Sequence, residues 1–245
     1  MIGIAIPAHD EEACLDACLD ALLAAASDPA LGGEAVRVCI VLDACSDGSA
    51  GVVRRRQAGF AAAGVALDCL EVQARRVGAA RAAGARHLLD CGAHWLAFTD
   101  ADTRVGPGWL AAQLALGADV VCGSVAVDDW SPHAQQAQAL RDYFDGFYQD
   151  RDGHRHIHGA NLGVSAAAYR AVGGFQDVPC HEDVLLVRAL EGIGACFAWS
   201  ARPRVFTSTR TDARARGGFG DTLLKMLDGS HAADAGARVD AQVEQ

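Results

Sequence analysis

Two carboxylates close a hydrophobic run: Trp95-Leu-Ala-Phe-Thr99 is followed at once by Asp100-Ala-Asp102. Acids two residues apart at a strand end can both reach one divalent cation, or a ribose hydroxyl, where the backbone turns. Mg2+ and Mn2+ prefer such oxygen ligands, keep several waters and take phosphate oxygens alongside. A cation held there neutralises a departing diphosphate, which is Lewis-acid catalysis. The plainer use of Asp102 is to cap the turn before Pro107; its place directly after a strand weighs against that.

Other residues carry chemistry of matching kinds. Arg76 and Arg81 flank the start of an Ala-rich stretch, and arginine offers a fork of donors suited to phosphate and ribose oxygens. The competing reading is a solvated helix face. Asp47 reads as a turn and helix cap before Ser49–Gln57. His154, His156 and His158 lie two apart, on one side of an extended segment; they are candidate metal ligands, with solvent-facing loop histidines the favoured reading. Phe206-Thr-Ser-Thr-Arg210, with Arg214 and Arg216, leads into Gly217-Gly-Phe219, a basic segment able to close over a diphosphate as a lid.

The elements that must position these residues alternate. Strands are expected at Ile2–Ile6, Val36–Leu42, Leu67–Val72, Trp95–Thr99 and Val120–Val125. Between them, Cys14, Leu15, Cys18, Leu19, Leu22 and Leu23 trace one helix face, Gly78–Asp90 is an Ala-rich helix, and a helix lies near Pro107–Leu116. Such alternation implies right-handed crossovers and a mostly parallel sheet flanked by helices, with ligands beyond the carboxyl ends of the strands. Polar residues fall at those ends: His9–Glu12, Asp43–Asp47 and Asp100–Asp102. Pro132–Asp150 reads as a helix carrying Tyr143, Phe144, Phe147 and Tyr148, and another helix opens at His181-Glu-Asp183. Trp130, Tyr143, Phe144 and Phe147 read by default as core, with stacking on a sugar or contact with a lipid as the alternative. Residues 1–228 are expected to form one domain, with a donor half to about 125 and a smaller acceptor half after it. Residues 229–245 read as a weakly ordered tail.

The chain has 245 residues, 51% hydrophobic and 21% charged, the balance of a soluble globular enzyme. A net charge of −10 argues against nucleic-acid backbones as partners. No apolar run reaches the roughly 18 residues needed to span a bilayer. No basic leader precedes the first strand, so a cytoplasmic protein is expected, peripheral to the membrane at most. The nine cysteines include no C-x-x-C pair and read as buried free thiols of a reducing compartment.

Taken in order, Ile4-Ala-Ile-Pro-Ala-His-Asp-Glu-Glu12, Val41-Leu-Asp-Ala-Cys-Ser-Asp-Gly-Ser49, Gly78-Ala-Ala-Arg81 and Phe98-Thr-Asp-Ala-Asp102 resemble the donor half of family-two glycosyltransferases. Gly159-Ala-Asn-Leu-Gly163, Tyr169-Arg-Ala-Val-Gly-Gly-Phe175 and His181-Glu-Asp183 resemble the acceptor half. The resemblance covers roughly residues 2–225. It implies a Rossmann-like GT-A fold, a nucleotide-diphosphate-sugar donor (UDP-linked favoured, GDP-linked possible), Mn2+ or Mg2+, and usually inversion at the anomeric carbon.

Carried over by position, Pro7, Ala8 and Glu11 line the nucleotide pocket, Asp43 hydrogen-bonds the base, and Arg76 contacts the nucleotide. Many relatives have a second Asp where Ala44 stands. Asp100 touches ribose and assists Asp102, the surer metal ligand. Gly159, Ala160 and Asn161 belong to the sugar and acceptor side. Asp183 becomes the catalytic base, since a carboxylate within about 3 Å of an acceptor hydroxyl can withdraw its proton. Glu182 or His181 orients it or holds the acceptor. Relatives often supply a histidine metal ligand near residues 206–219; none stands there. The acceptor, a small molecule, glycan or lipid-linked chain, is not legible.

Two other readings compete. A sugar nucleotidyltransferase shares the alternation, but needs a Gly-rich loop where Pro7–Glu12 is acidic and glycine-free; the lack of G-x-G-x-x-G likewise disfavours a dinucleotide enzyme. A non-catalytic nucleotide-sugar-binding protein would be expected to have lost Asp100, Asp102, Glu182 and Asp183.

Overall fold

Apolar runs make the strands of a helix-covered sheet, and five of them fall within two residues of the hydrophobic pattern. In the computed structural model, which describes residues 1–210, the chain runs β1 (Ile2–Ala8), α1 (Glu12–Ala26), β2 (Val36–Asp43), α2 (Ser49–Ala62), β3 (Ala66–Val72), α3 (Val77–Asp90) and β4 (Trp95–Phe98). There follow β5 (Thr103–Val105), α4 (Trp109–Ala115), β6 (Val120–Ala126), α5 (Ala137–Phe147), β7 (Leu162–Ser165), α6 (Ala166–Ala171), α7 (Glu182–Gly192) and β8 (Phe197–Thr207). The expected tail and Arg214 lie outside the described residues.

The strand order is β3-β2-β1-β4-β7-β6-β8-β5. The half from β3 to β4 is parallel throughout, with Ile2 opposite both Val36 and Trp95. Beyond β4 the sheet is mixed: β7 runs antiparallel between β4 and β6, β8 is parallel to β6, and β5 closes the edge antiparallel to β8. The chain steps outward from β1 to β3 and then returns to β4, so right-handed crossovers set α1 and α2 on one face and α3 on the other.

Helix α3 lies unusually close to the sheet. A Cβ on Gly84 would sit 3.0 Å from Val41 and 3.1 Å from Ala5, and one on Gly3 would sit 2.9 Å from the Leu88 Cβ. Helix α7 packs beside it over a core that includes Leu96, Phe98, Leu162, Leu186, Val187 and Leu190. The rings of Phe175 and Phe98 meet edge to face with centroids 4.9 Å apart, which fastens the chain before α7 to the strand that leads to Asp100. Packing thus brings the first turns of α3 and α7 to the carboxyl end of β4.

The described residues divide into two compact units, 1–128 with 149–208, and 129–148 with 209–210. In the second, the helix expected over Pro132–Asp150 is instead a 3-10 segment, Ser131–Gln136, followed by α5. The break is at Ala134, with φ +47° and ψ −117°. Trp130 packs at 5.7 Å against Phe144, which stacks on Tyr148. Trp130 and Phe144 are buried, as core aromatics should be; Tyr143 is half-buried. All nine cysteines are free, but only Cys18, Cys39 and Cys122 are buried, while Cys91 and Cys196 are exposed. Among the described residues no helix is long and apolar enough to cross a membrane.

Candidate active site

The loops after β1 and β2 brace each other. Asp10, at φ +53°, accepts the backbone N–H of Ser46 and of Asp47, and the Ser46 amide in particular holds its carboxyl below the usual range. Asp47 accepts from the backbone of Glu12 and of Ser49, which is the turn role its sequence context suggested; the N-cap position of α2 itself is Gly48. Glu11 is buried and donates its N–H to Ser49 Oγ at 2.9 Å. Pro7 is half-buried in β1, and the buried Ala8 offers its carbonyl to the Cys45 thiol.

Asp43 ends β2 at 4% exposure. Its two oxygens accept the backbone N–H groups of Arg75 at 2.8 Å and Arg76 at 2.9 Å, tying β2 to the loop that starts α3. Arg75, at φ +52°, is one of four non-glycine residues held left-handed at these strand and helix ends, with Asp10, Ala44 and His181. Backbone strain of this sort clusters where a site is pre-organised. The Arg76 side chain turns to Asp177 at 2.9 Å, both groups well exposed, so this pair adds little stability.

The centre is Arg81. Expected at a nucleotide phosphate or ribose, it is instead 4% exposed, donating Nη2 to Asp100 and Nη1 to Glu182. Burial works against its charge, but Asp100, Glu182 and Asp183 outweigh that and keep the guanidinium protonated. Glu182 is buried, and burial pushes its carboxyl above the usual range; Asp183 adds to this and Arg81 opposes it. Asp183 is half-buried in the first turn of α7. It accepts the Gly159 N–H on Oδ2 at 2.8 Å and the Val184 N–H on Oδ1 at 2.8 Å. The structure therefore gathers Asp100, Arg81, Gly159, Glu182 and Asp183, drawn from β4, α3, the segment before β7 and α7. His181, exposed at φ +61°, heads the same helix, and Ala160 is half-buried beside Gly159.

Asp102 follows two residues after Asp100, half-buried, with Thr103 Oγ1 at 3.4 Å from its Oδ1. Behind both acids lies Cys18 of α1, whose thiol donates to the Asp100 carbonyl. Burial raises that thiol above its usual range, and Asp102 and Asp100 raise it further. Sequence reading missed this neighbour, although Cys18 falls on the apolar stripe of α1 that faces the sheet. Two strand-end carboxylates suit Mg2+ or Mn2+, which accept one or two protein acids and complete their shell with water and phosphate. The two groups of metal-ligand type found within one coordination sphere among the described residues lie elsewhere. They are Asp68, His87 and Cys91, and Asp10, Cys45 and Asp47. In the first, Arg37 already holds the Asp68 oxygen that faces His87, and in the second Asp10 is engaged with backbone amides.

Two groups of expected site residues stand differently. Asn161 is wholly buried: its amide donates to the carbonyls of Ser124 and Pro203 and accepts from Trp109 Nε1 at 2.9 Å. It knits β6, β8 and α4 together, and its side chain is not placed to meet a sugar. Of the three loop histidines His154 is buried rather than solvent-facing, while His156 and His158 are half-buried. His154 is 1% exposed, and the rings stack in series at 5.5 Å and 6.0 Å. Burial, with repulsion from His156 and His154, pulls His158 down to about 3. Arg210 is half-buried at the last described position, and the rest of the expected lid, Arg214 included, lies outside the described residues.

A parallel half-sheet with acids at its strand ends, joined to antiparallel strands and an acid-headed helix, defines the GT-A class of glycosyltransferase fold. The sequence matches glycosyl transferase family 2 over residues 3–173, and the chain belongs to that family. TarS from S. aureus, residues 1–349, aligns with TM-score 0.61 at 12% identity, over 85% of this chain and 60% of that one. The mannosyltransferase PcManGT from Pyrobaculum calidifontis, in complex with GDP-Man and Mn2+, gives 0.61 at 17% identity over 87% and 58%. GalNAc-T7 with UDP, GalNAc and Mn2+ gives 0.58 at 12% over 89% and 45%. At such identities the likeness is one of fold, and this chain spans 60% or less of those chains. No curated protein matches the sequence significantly.

Proposed function

We propose that the protein transfers a sugar from a nucleotide-diphosphate donor to an acceptor hydroxyl, dependent on Mn2+ or Mg2+ and with inversion at the anomeric carbon. The observation that carries this reading is the junction at Arg81, where the acid closing β4 and the acid heading α7 meet on one buried cation. A donor lying across the carboxyl ends of β1, β2 and β4 would present its diphosphate to the β4 acids and its anomeric carbon toward α7.

The residues divide the work. The loops after β1 and β2, with Pro7, Ala8, Glu11 and Asp43, receive the nucleotide. Each Asp43 oxygen keeps a second lone pair beyond its backbone contact, so a base N–H has an acceptor there. Uracil and guanine both offer such a ring N–H, in keeping with the UDP and GDP-Man complexes among the structural relatives. Asp102 and Asp100 would hold the cation, which when bound neutralises charge on the leaving nucleotide.

Asp183 withdraws the proton from the acceptor hydroxyl as that oxygen attacks in line with the departing diphosphate. The Gly159 and Val184 amides, which donate to Asp183, aim its carboxylate. Glu182, held by Arg81, fixes the head of α7, and His181 stands exposed toward the acceptor side. Nine free thiols suit a reducing compartment, and we place the reaction in the cytoplasm.

The test is release of free nucleotide from UDP- and GDP-linked sugars with Mn2+, followed by the stereochemistry of the product. Binding without turnover across donors and acceptors would leave a non-catalytic nucleotide-sugar receptor, and a retained anomeric configuration would remove Asp183 as a simple base.

A further inference from the structure

We infer that Arg81 is a positioning residue, whose buried fork ties donor-side Asp100 to Glu182 and so fixes Asp183, the next residue of α7, relative to the β4 acids. The inference rests on the reading of Asp100 and Asp183 given above. It assigns Arg81 no contact with donor or acceptor.

The geometry is that of a closed cradle. Arg81 is 4% exposed, with one terminal nitrogen on each acid. Gly159 lies flat against the guanidinium, since a Cβ there would stand 2.5 Å from Arg81 Cζ. Gly78, one turn earlier on α3, lies against Glu182, where a Cβ would stand 2.9 Å from that residue's Cβ. Both glycines are there because nothing larger fits between α3, α7 and the segment before β7.

Arg81 therefore reaches Asp183 by two routes. One runs along the chain from Glu182. The other runs through Gly159, whose face meets the guanidinium and whose N–H donates to Asp183 Oδ2. Helix α3 is itself seated on β1 and β2 through Gly84, so the tie is anchored to the sheet that would carry the nucleotide. Lysine could keep the charge but has no planar fork with which to bridge two carboxylates.

The experiment compares wild type with Arg81→Lys and Arg81→Ala in three measurements. Ligand-free hydrogen exchange reads the tie itself. Exchange at Gly159, Val184 and Leu185 is expected to quicken in Arg81→Lys while the amides of β1 and β2 keep their protection. Binding of UDP and GDP with Mn2+ is expected to stay at wild-type strength. For hydrolysis of UDP-glucose or GDP-mannose, whichever wild type consumes, kcat is expected to fall about 100-fold, as for a misplacement near 1 Å, with donor KM unchanged. Guanidinium added to Arg81→Ala well below denaturing concentration is expected to restore part of that kcat. Should either variant fail to fold, Arg81→Lys/Glu182→Gln removes the uncompensated buried acid and carries the same measurements.

Unchanged exchange at Gly159, Val184 and Leu185 overturns the inference, as does nucleotide affinity falling in step with kcat, which would make Arg81 a donor ligand. If wild type binds neither nucleotide, the glycosyltransferase reading fails, while the ligand-free exchange still decides the tie.

Discussion

Asp43 and Arg76 are joined through the backbone: the carboxylate closing β2 accepts the N–H of the residue before α3 at 2.9 Å, and its second oxygen takes the Arg75 N–H. The acid that the family pattern assigns to the base thus also shapes the pocket wall. Asp43→Asn replaces one acceptor by an NH2 group and leaves a nearly buried amide without its partner. The expected cost is about 1–3 kcal/mol, together with weaker nucleotide binding. Thermal unfolding and titration with UDP and GDP measure the two effects. Lost binding at unchanged stability would assign Asp43 to the ligand alone.

Asn161→Ala should act on the fold. The substitution leaves the Trp109 N–H and the Ser124 and Pro203 carbonyls unpaired in a fully buried place. A loss of about 3 kcal/mol or more is expected, or about 6–12 °C in Tm for a domain of this size. A variant of normal Tm that fails only in transfer would return Asn161 to the sugar side.

The histidine stack makes the fold sensitive to acid. His158 stands near 3 in the folded chain against 6.5 for an unperturbed histidine. Between those values the unfolded chain binds the extra proton. Stability is therefore fully present above about pH 6.5 and declines as pH falls, by up to about 1.4 kcal/mol per pH unit. In His158→Asn the fall in Tm from pH 6.5 to 5 should be shallower than in wild type; parallel curves would show that His158 titrates normally.

What the sequence made legible follows from burial. Strands β1, β2, β4 and β6 are short apolar runs covered on both faces, and their pattern survives without any structure; the edge strand β3 is only partly buried but keeps enough apolar residues to be read. Two of the three strands the sequence hid lack such cover, and β7, though buried, is broken by Gly163 and ends on Ser165. Strand β5 has three residues with Arg104 exposed at its centre, and β7 has four. Strand β8 carries Arg202, Pro203 and Arg204, and its pairing to β6 slips between Gly123 and Val125. The break before α5 falls on Ala134, a residue with no bias toward left-handed backbone.

The site was legible as acids at strand and helix ends, less so in what each side chain does. Arg81 is the instructive case. It lies on the buried stripe of α3 with Gly78, Ala85 and Leu88, at spacings of three, four and seven. Periodicity alone could have turned it inward; charge argued for the surface, and the paired acids that overturn this come from distant segments. His154 failed likewise, since its cover is supplied by Trp199 and Ser200 of β8 rather than by neighbours in sequence.

Asp183→Asn keeps the size of the side chain but can accept only one of the two N–H groups, from Gly159 and Val184, that meet separate carboxylate oxygens, and an amide cannot take up a proton. Nucleotide affinity with Mn2+ should stay close to wild type and Tm should fall modestly, for the one lost N–H acceptor, while transfer falls by about 100-fold or more, the usual contribution of a general base. Transfer at the wild-type rate would send the search for the base elsewhere on α7.

The central claim is that a divalent cation sits between the acids closing β4 and the phosphates of an activated sugar. Calorimetric titration of UDP and GDP, with and without Mn2+, into wild type and Asp102→Asn addresses it directly. At least one nucleotide should bind wild type strongly only when Mn2+ is present, and Asp102→Asn should lose that dependence without losing its fold. Binding indifferent to the metal, or an Asp102→Asn variant that responds to Mn2+ like wild type, would contradict the account.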